Sequence, residues 1–512
     1  MKRIWLAAAA VILSGAAFAQ PGVQQSAQPA GPAELRIPAR KQQAPVPALL
    51  QSRANEIFNT TCAGCHGNTI QPGPSAPSLL ATNFLSSRTD AQIVQVLTDG
   101  LPNTPNHSFK TLFFPDELAQ MPALLRIRGG IANRRAGPAL DINGKAFQSQ
   151  KASFKAETIA KGFDQPWGLA FLPDGRGIFT ERNGNIRFLN KDGSVSEPVK
   201  GTPTVFVRQD GGMLDIALHP GYAKNGWIYL SYSTVPAGYQ VQPGDDAAPN
   251  MSPPTMTHVV RGKVNANNEW VDQQILFDPP ADSYRVTADH YGSRFLFDGK
   301  GHFFWSMGER HDMQMSQNLA SPLGKIHRLN DDGTIPKDNP FVRTPGALGS
   351  VWSFGHRNPE GLTFDPATGI FWETEHGPVG GDEVNIIEPG KNYGWGMATF
   401  GIEPGIGRLH ATGVTDPVTH YNPSIGPAGM TFYTGNRYPG WKGNLFLTGM
   451  VGERLFRAEI KDRQIVSQEI LFQGYGRVRD VVQGPDGLLY LLLQNMNGDP
   501  KGGSIVRLVP AN

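Results

Sequence analysis

Only two cysteines occur in 512 residues, Cys62 and Cys65, so no disulfide framework holds this chain together. Net charge is nearly absent too. Lys plus Arg number 46 against 44 Asp plus Glu, a formal +2, which argues against a basic footprint for nucleic acid or an anionic membrane. Charged residues make up only 18%, while Gly (60) and Pro (42) are abundant, the texture of a turn-rich all-β protein. Long apolar runs are confined to the first twenty residues, MKRIWLAAAAVILSGAAFAQ. Lys2 and Arg3 precede a short apolar stretch, Ser14-Gly15 interrupts it, and Ala17-Phe18-Ala19 has small-x-small character. This reads as a secretory signal over 1–19, cut before Gln20, rather than a bilayer span of roughly 20 apolar residues. The expected product is an exported, periplasmic protein with no transmembrane segment.

Residues 20–49 are rich in Pro, Ala and Gln without a period, a linker that cannot bury a core. From 50 to 130 the pattern turns helical. Asp90 to Gly100 has apolar residues at helical spacing with Gly100 as a stop, and Pro115-Asp116 starts another helix that Pro122 should kink. Here lies Cys62-Ala63-Gly64-Cys65-His66. C-x-x-C-H places two thiols about one helical turn apart, where they can add to haem vinyl groups, and the next histidine can ligate the iron. A redox dithiol would call for a thioredoxin-like βαβ pattern, which is missing, and a structural disulfide gives His66 no role. The segment resembles a small class I cytochrome c domain. Such domains carry a Met-Pro loop before the last helix, but Thr104-Pro105 stands there in this chain. The sixth ligand is left between His107 in that loop and Met121 in the helix.

Residues 131–152 are polar and irregular and form a second linker. Beyond them, from 153 to 512, six weak repeats begin at Pro166, Gly212, Gly292, Glu360, Ala428 and Arg477. Each has an apolar strand, a turn rich in Gly, Pro or Asp, and a strand richer in aromatics. Six such units predict an all-β six-bladed propeller behind the small all-α domain. A strand over Ser153 to Ala160 is expected to pair with the last C-terminal strand and close the ring. Loops at one end of the propeller channel gather residues from different blades. Six groups fall at matching positions: Gln209-Asp210, Asp289-His290, Gln314, Arg357-Asn358, Glu375 to Glu383, and Arg477 with Arg479. The stretch EHGPVGGDE (from Glu375) is expected to be a glycine-rich loop whose carboxylate and carbonyl oxygens suit Ca²⁺.

GHRNPEGL (from Gly355), EHGPVGGDE and KNYGW (from Lys391) together resemble the soluble pyrroloquinoline-quinone (PQQ) dependent aldose sugar dehydrogenases, relatives of soluble quinoprotein glucose dehydrogenase. The resemblance runs from about Phe163 to the C-terminus. It implies His290 as the base that takes the proton of the anomeric hydroxyl while hydride passes to the quinone, with Asp289 orienting the imidazole. It implies Arg357 and Asn358 on the quinone oxygens, Gly377 and Pro378 as carbonyl ligands of Ca²⁺, and Arg477 and Arg479 near the cofactor carboxylates. Two positions depart from the glucose dehydrogenase branch: its cofactor-contacting glutamine falls on Asp210, with Gln209 one residue away, and its cofactor lysine on Val451. The expectation is a quinohaemoprotein that oxidises an aldose and passes electrons through haem c to a downstream acceptor, a cytochrome or the respiratory chain. A sorbosone or other sugar-aldehyde dehydrogenase of the same fold, and a non-catalytic propeller that docks a redox partner, are the alternatives.

Overall fold

The turn residues that punctuate the C-terminal two thirds of the sequence divide it into strands in the computed structural model of the chain. The structure describes residues 52–511 apart from 67–69, 71–78, 80–84, 86–87, 101–107, 112, 137–139, 243–252, 379, 402, 404–405, 407–408, 422–423 and 495–500. The signal and first linker expected from the sequence, and His107, lie outside these residues. Among the described residues no helix is long and apolar enough to cross a membrane.

The strands form six antiparallel sheets. Their innermost strands are Pro166–Phe171, Met213–Leu218, Phe295–Phe297, Pro359–Phe364, Pro427–Phe432 and Arg477–Gln483, close to where the sequence repeats begin. This is the six-bladed propeller. Five blades are built from consecutive strands. The sixth takes its first two strands from Arg477–Gln483 and Leu489–Gln494, its third from Gly503–Pro510, and then Ser153–Phe163 from the other end of the propeller. Phe154 pairs with Pro510 and Glu157 with Arg507, so the expected closure is present and two edges are removed. A further strand, Ala146–Gln148, pairs outside it, in a stretch expected to be linker.

Between blades the faces are apolar on both sides, as buried strands require. Ile178, Phe188 and Val199 of one blade pack on Met213, Ile228 and Leu230 of the next. Tyr229 meets Phe295, Phe297 and Phe303 edge to face, and each such buried side chain contributes about 1.5–3 kcal/mol. Trp441, fully buried, stacks on Tyr438 at 4.3 Å and donates from Nε1 to Ser149 Oγ at 3.2 Å.

In five blades the pairing of the innermost strand slips at its start, between Pro166 and Leu169, Met213 and Ile216, Pro359 and Gly361, Pro427 and Met430, and Val478 and Asp480. A bulge turns one extra side chain away from the ladder. Trp167, Asp215, Glu360 and Arg479 sit on these bulges; the first three meet Arg294, and Arg479 meets Glu360 and Trp167. Arg294 Nη1 lies 3.2 Å from both Asp215 and Asp480, its Nε donates to Glu360 O at 2.9 Å, and its guanidinium covers Trp167 at 4.4 Å. Glycine makes the room. A Cβ at Gly168 would come 2.5 Å from Asp215 Oδ1, and one at Gly429 would come 2.1 Å from Asp480 Oδ1. Burial drives Asp215 up to about 6 despite Arg294, while burial of Glu360 is outweighed by Arg479, His376, Asn358 and Arg294, leaving its carboxyl low.

The N-terminal region is helical as the pattern predicts. Thr89 caps Asp90–Asp99 in a reciprocal capping box with Gln92, and Gly100 ends it at φ +83°. Pro115–Ala136 is one helix through Pro122, running past Gly130 where the sequence suggested the domain would end. Ile57, Phe58, Cys62, Ile93, Leu118, Met121 and Leu124 form its apolar core. Arg128, buried against Phe58 at 4.1 Å, donates to Asn55 and Asn59 and is lowered to about 10 by burial, tying the first helix to the last.

Candidate active site

Two imidazoles come together, His290 from the segment between blades two and three and His311 from a loop within blade three. His290, 8% exposed, presents Nδ1 to Glu309 Oε1 at 2.6 Å. With Nδ1–H donating to that carboxylate, the lone pair lies on Nε2, the arrangement of a base with its tautomer fixed from behind. The other Glu309 oxygen is buried with no hydrogen-bond partner among the described residues. Burial lowers His290 well below the ordinary histidine range. Arg357, His311 and His376 push the same way and Asp289 opposes, so the ring is neutral at neutral pH.

The expected orienting residue is therefore corrected. Asp289 does not hold His290; its Oδ2 lies 3.2 Å from Nε2 of His311. The His311 ring in turn stacks on His290 at 4.2 Å with an interplanar angle of 23°. Sequence reasoning missed both Glu309 and His311, although both lie in Gly308-Glu309-Arg310-His311-Asp312, one turn before Gln314. The signal available was a run of titratable residues at a blade end. Gln314 itself lies exposed in a short 3₁₀ turn, Met313–Ser316.

Arg357 adjoins this pair, its carbonyl accepting from Glu309 N at 2.8 Å. Its backbone N–H donates to Glu375 Oε2 at 2.5 Å, its guanidinium reaches His376 O only at 3.4 Å, and its Nε has no hydrogen-bond partner among the described residues. The side chain lies over Trp395 at 5.1 Å, and burial lowers its pKa despite Glu309, Asp382, Glu403 and Glu375. A buried cation so thinly satisfied is suited to an anionic partner. Asn358 is different. It is fully buried, accepts from Gly292 N at 3.0 Å and donates to Glu360 Oε1 at 3.0 Å, so its amide ties the start of its own strand to the segment before blade three.

The stretch from Glu375 to Glu383 is shorter as a loop than expected. Glu375 ends the strand Phe371–Glu375, and Asp382 and Glu383 begin Asp382–Ile386. Asp382 accepts from Gly377 N at 2.8 Å and from Ser424 Oγ, Ile425 N and Gly426 N, so it folds the loop. Gly377 and Arg357 line one small recess with His376, Gly381, Tyr393 and Trp395. A Cβ on Gly377 would come 2.2 Å from Gly380 O; only glycine permits this approach. Beside the recess, Glu373, Glu375 and Glu383 surround the Asn385 amide at 3.0, 3.4 and 3.2 Å. Burial, then Glu375, raises Glu373 and Glu383 well above the usual range. His356, Glu373 and Glu375 also bring three ligand atoms within reach of one ion. Carbonyl and carboxylate oxygens at such density fit a hard divalent cation.

The remaining candidates ring the channel mouth. Gln209 is exposed at φ +44°, and Arg182 donates to its carbonyl at 2.7 Å. Asp210 is accessible yet enclosed by protein, and that desolvation raises its carboxyl, followed by Asp289 and Glu360. Arg479 is committed to Glu360 and Trp167, while Arg477 starts its strand, half-buried. In the helical region Cys62 is buried in the apolar core beside Met121, and His66 ends the helix Ala63–His66 one turn on.

A family model described as "Glucose / Sorbosone dehydrogenase" matches residues 163–507. The chain is 35% identical over 377 residues to the aldose sugar dehydrogenase of Escherichia coli, covering 72% of this chain and 96% of that one. The solved apo-form of the soluble E. coli aldose sugar dehydrogenase superposes with a TM-score of 0.63 at 32% identity, over 70% of this chain and all of that one. The PQQ-bound aldose sugar dehydrogenase of Streptomyces coelicolor gives 0.56 at 28% identity, over 70% and 99%.

Proposed function

The chain belongs to the glucose and sorbosone dehydrogenase family, and on that premise we propose that its propeller is a PQQ-dependent aldose dehydrogenase whose electrons leave through haem c on its own helical domain. The observation that carries the reading is the His290–Glu309 pair beside Arg357, whose carbonyl accepts from Glu309 N at 2.8 Å and whose charge acts on His290. Relatives named as PQQ-bound and as quinoprotein glucose dehydrogenase support the cofactor. Arg357, with Arg477 and Arg479 behind it, would hold the anionic quinone. Gly377 and Pro378, through their carbonyls, would hold Ca²⁺ against it. When bound, the quinone supplies a two-electron hydride acceptor.

The residues then divide the work. His290 Nε2 takes the proton of the sugar's anomeric hydroxyl, and Glu309 stabilises the imidazolium so formed through Nδ1–H. Arg357 faces the side on which negative charge develops. The aldose becomes a lactone, which hydrolyses to the acid. Cys62 and Cys65 would anchor the haem and His66 would ligate its iron, with Met121 or His107 on the other side. An acceptor on the same chain makes the second transfer effectively unimolecular. Export to the periplasm follows from the signal-like first 19 residues, and a respiratory carrier would take the electrons onward.

The test is apo-protein given Ca²⁺ and PQQ and offered a panel of aldoses and sugar aldehydes. His290→Ala should lose about 10²–10⁴ in sugar oxidation and equally in sugar-driven haem reduction, while dithionite still reduces the haem. Near-normal sugar-driven haem reduction in His290→Ala would refute His290 as the base, whereas no sugar oxidation by the reconstituted parent protein would make the propeller a docking module. Chelation should abolish turnover and Ca²⁺ restore it; recovery with zinc alone would refute the metal assignment.

A further inference from the structure

We propose that His311, clamped by Asp289 onto the face of His290, is a positioning residue that sets the protonation range of the base, so that the site works with a pair of imidazoles rather than one. The inference rests on the reading of His290 as base. Geometry carries it. The two rings lie 4.2 Å apart and nearly parallel, and Asp289 holds His311 Nε2 at 3.2 Å. His311 is half exposed at the mouth while His290 is buried behind it.

The backbone is bent to make this contact. His290, Arg310 and His311 have φ of +58°, +57° and +57°, a region that costs non-glycine residues on the order of 1 kcal/mol or more each. Two successive left-handed residues send three neighbouring side chains in three directions. Glu309 goes to His290 Nδ1, Arg310 turns into the blade to bond Asp289 O and Thr255 O, and His311 folds over the imidazole. Strain at one spot that serves all three contacts points to a placed residue rather than a chance neighbour.

The charges around His311 are Asp289 and Glu309, which favour its protonated form, and Arg357, which opposes it; Glu403 and Arg310 lie nearby, and His290 is under its ring. The Asp289 hydrogen bond raises His311 above the ordinary range while burial lowers His290 below it. His311 is thus cationic throughout the range in which His290 titrates, and a cation on the ring face opposes proton uptake by the base. The pair keeps the base free at a lower pH than one imidazole would.

The test compares His311→Gln, which removes the charge, with His311→Arg, which keeps a flat cation. In apo-protein labelled with ¹³C at the histidine Cε1, the His290 midpoint should rise by about one pH unit in His311→Gln and stay near the parent value in His311→Arg. In the reconstituted enzyme the acid limb of kcat/KM should move the same way. An unmoved His290 midpoint in His311→Gln overturns the inference, as does an equal rise in both variants, which would mark a packing effect. If His290→Ala retains turnover, the base assignment itself falls; if it is inactive while His311→Gln leaves the His290 midpoint unmoved, only the pairing falls.

Discussion

Replacing Arg294 with methionine isolates what the ionic plug of the channel does for the fold. Arg294 is 7% exposed and lies 3.2 Å from both Asp215 and Asp480; methionine keeps much of the volume and loses the charge. Asp215 already stands at about 6 against 3.8 with Arg294 in place. A difference of 6 − 3.8 = 2.2 units corresponds to about 3 kcal/mol at 1.36 kcal/mol per unit. Removing the cation adds to that for both carboxylates, and loss of one partner from a buried pair costs about 3–5 kcal/mol. The sign with pH follows. A carboxyl raised in the fold binds its proton more tightly there than when unfolded, so stability is lost as pH rises through 4 to 6. Without Arg294 that window extends upward. Urea unfolding of the apo-protein should therefore show the full loss at pH 8 and a clearly smaller one at pH 5.5. Combining Arg294→Met with Asp480→Asn should recover part of it. An equal loss at both pH values, or one below about 1 kcal/mol, would refute the account.

Glu309→Gln should lower sugar turnover by roughly 10–10²-fold, because an amide cannot stabilise the imidazolium as a carboxylate does; steady-state rates on PQQ-reconstituted protein check this, with an unchanged kcat counting against the pairing. Gly429→Ala should destabilise the fold by about 1–3 kcal/mol, since its Cβ would overlap Asp480, and thermal melts would show it while wild-type melting would refute the packing argument. Protein made in cells able to mature c-type cytochromes should keep haem stain after denaturing electrophoresis, because thioethers survive unfolding, and Cys62→Ala or Cys65→Ala should weaken it.

The blades were legible because Pro, Gly and Asp mark their turns and the repeats begin within a few residues of the observed inner strands. The ring closure was legible because a lone apolar strand at Ser153 needs a partner. The channel plug was not. Trp167, Asp215, Arg294, Glu360 and Arg479 come from five blades, and the bulges that aim four of them leave no mark in strand periodicity. His290 and Arg357 were singled out from the order of motifs, and the orienting partner was assigned to Asp289 because it is adjacent in sequence. In a turn with φ near +57° the next residue points elsewhere, and Glu309, nineteen positions on, is the neighbour in space. Glu375 and Glu383 read as loop ligands because glycines lie between them, whereas the strand ladder claims both.

The pairing of Ser153–Phe163 with Gly503–Pro510 sets an order on biosynthesis. Glu157 and Arg507, joined at 2.9 Å, are separated by 350 residues, so the last blade stays incomplete until Gly503–Pro510 has been made. Without that strand the blades form an open arc with a bare edge at each side, exposed to mispairing. The described core of the helical segment around Cys62 draws only on residues 54–125. Pairing of Gly503–Pro510 is therefore the step that turns an arc into a ring, and removal of that strand alone should leave a protein that degrades rather than one that works poorly.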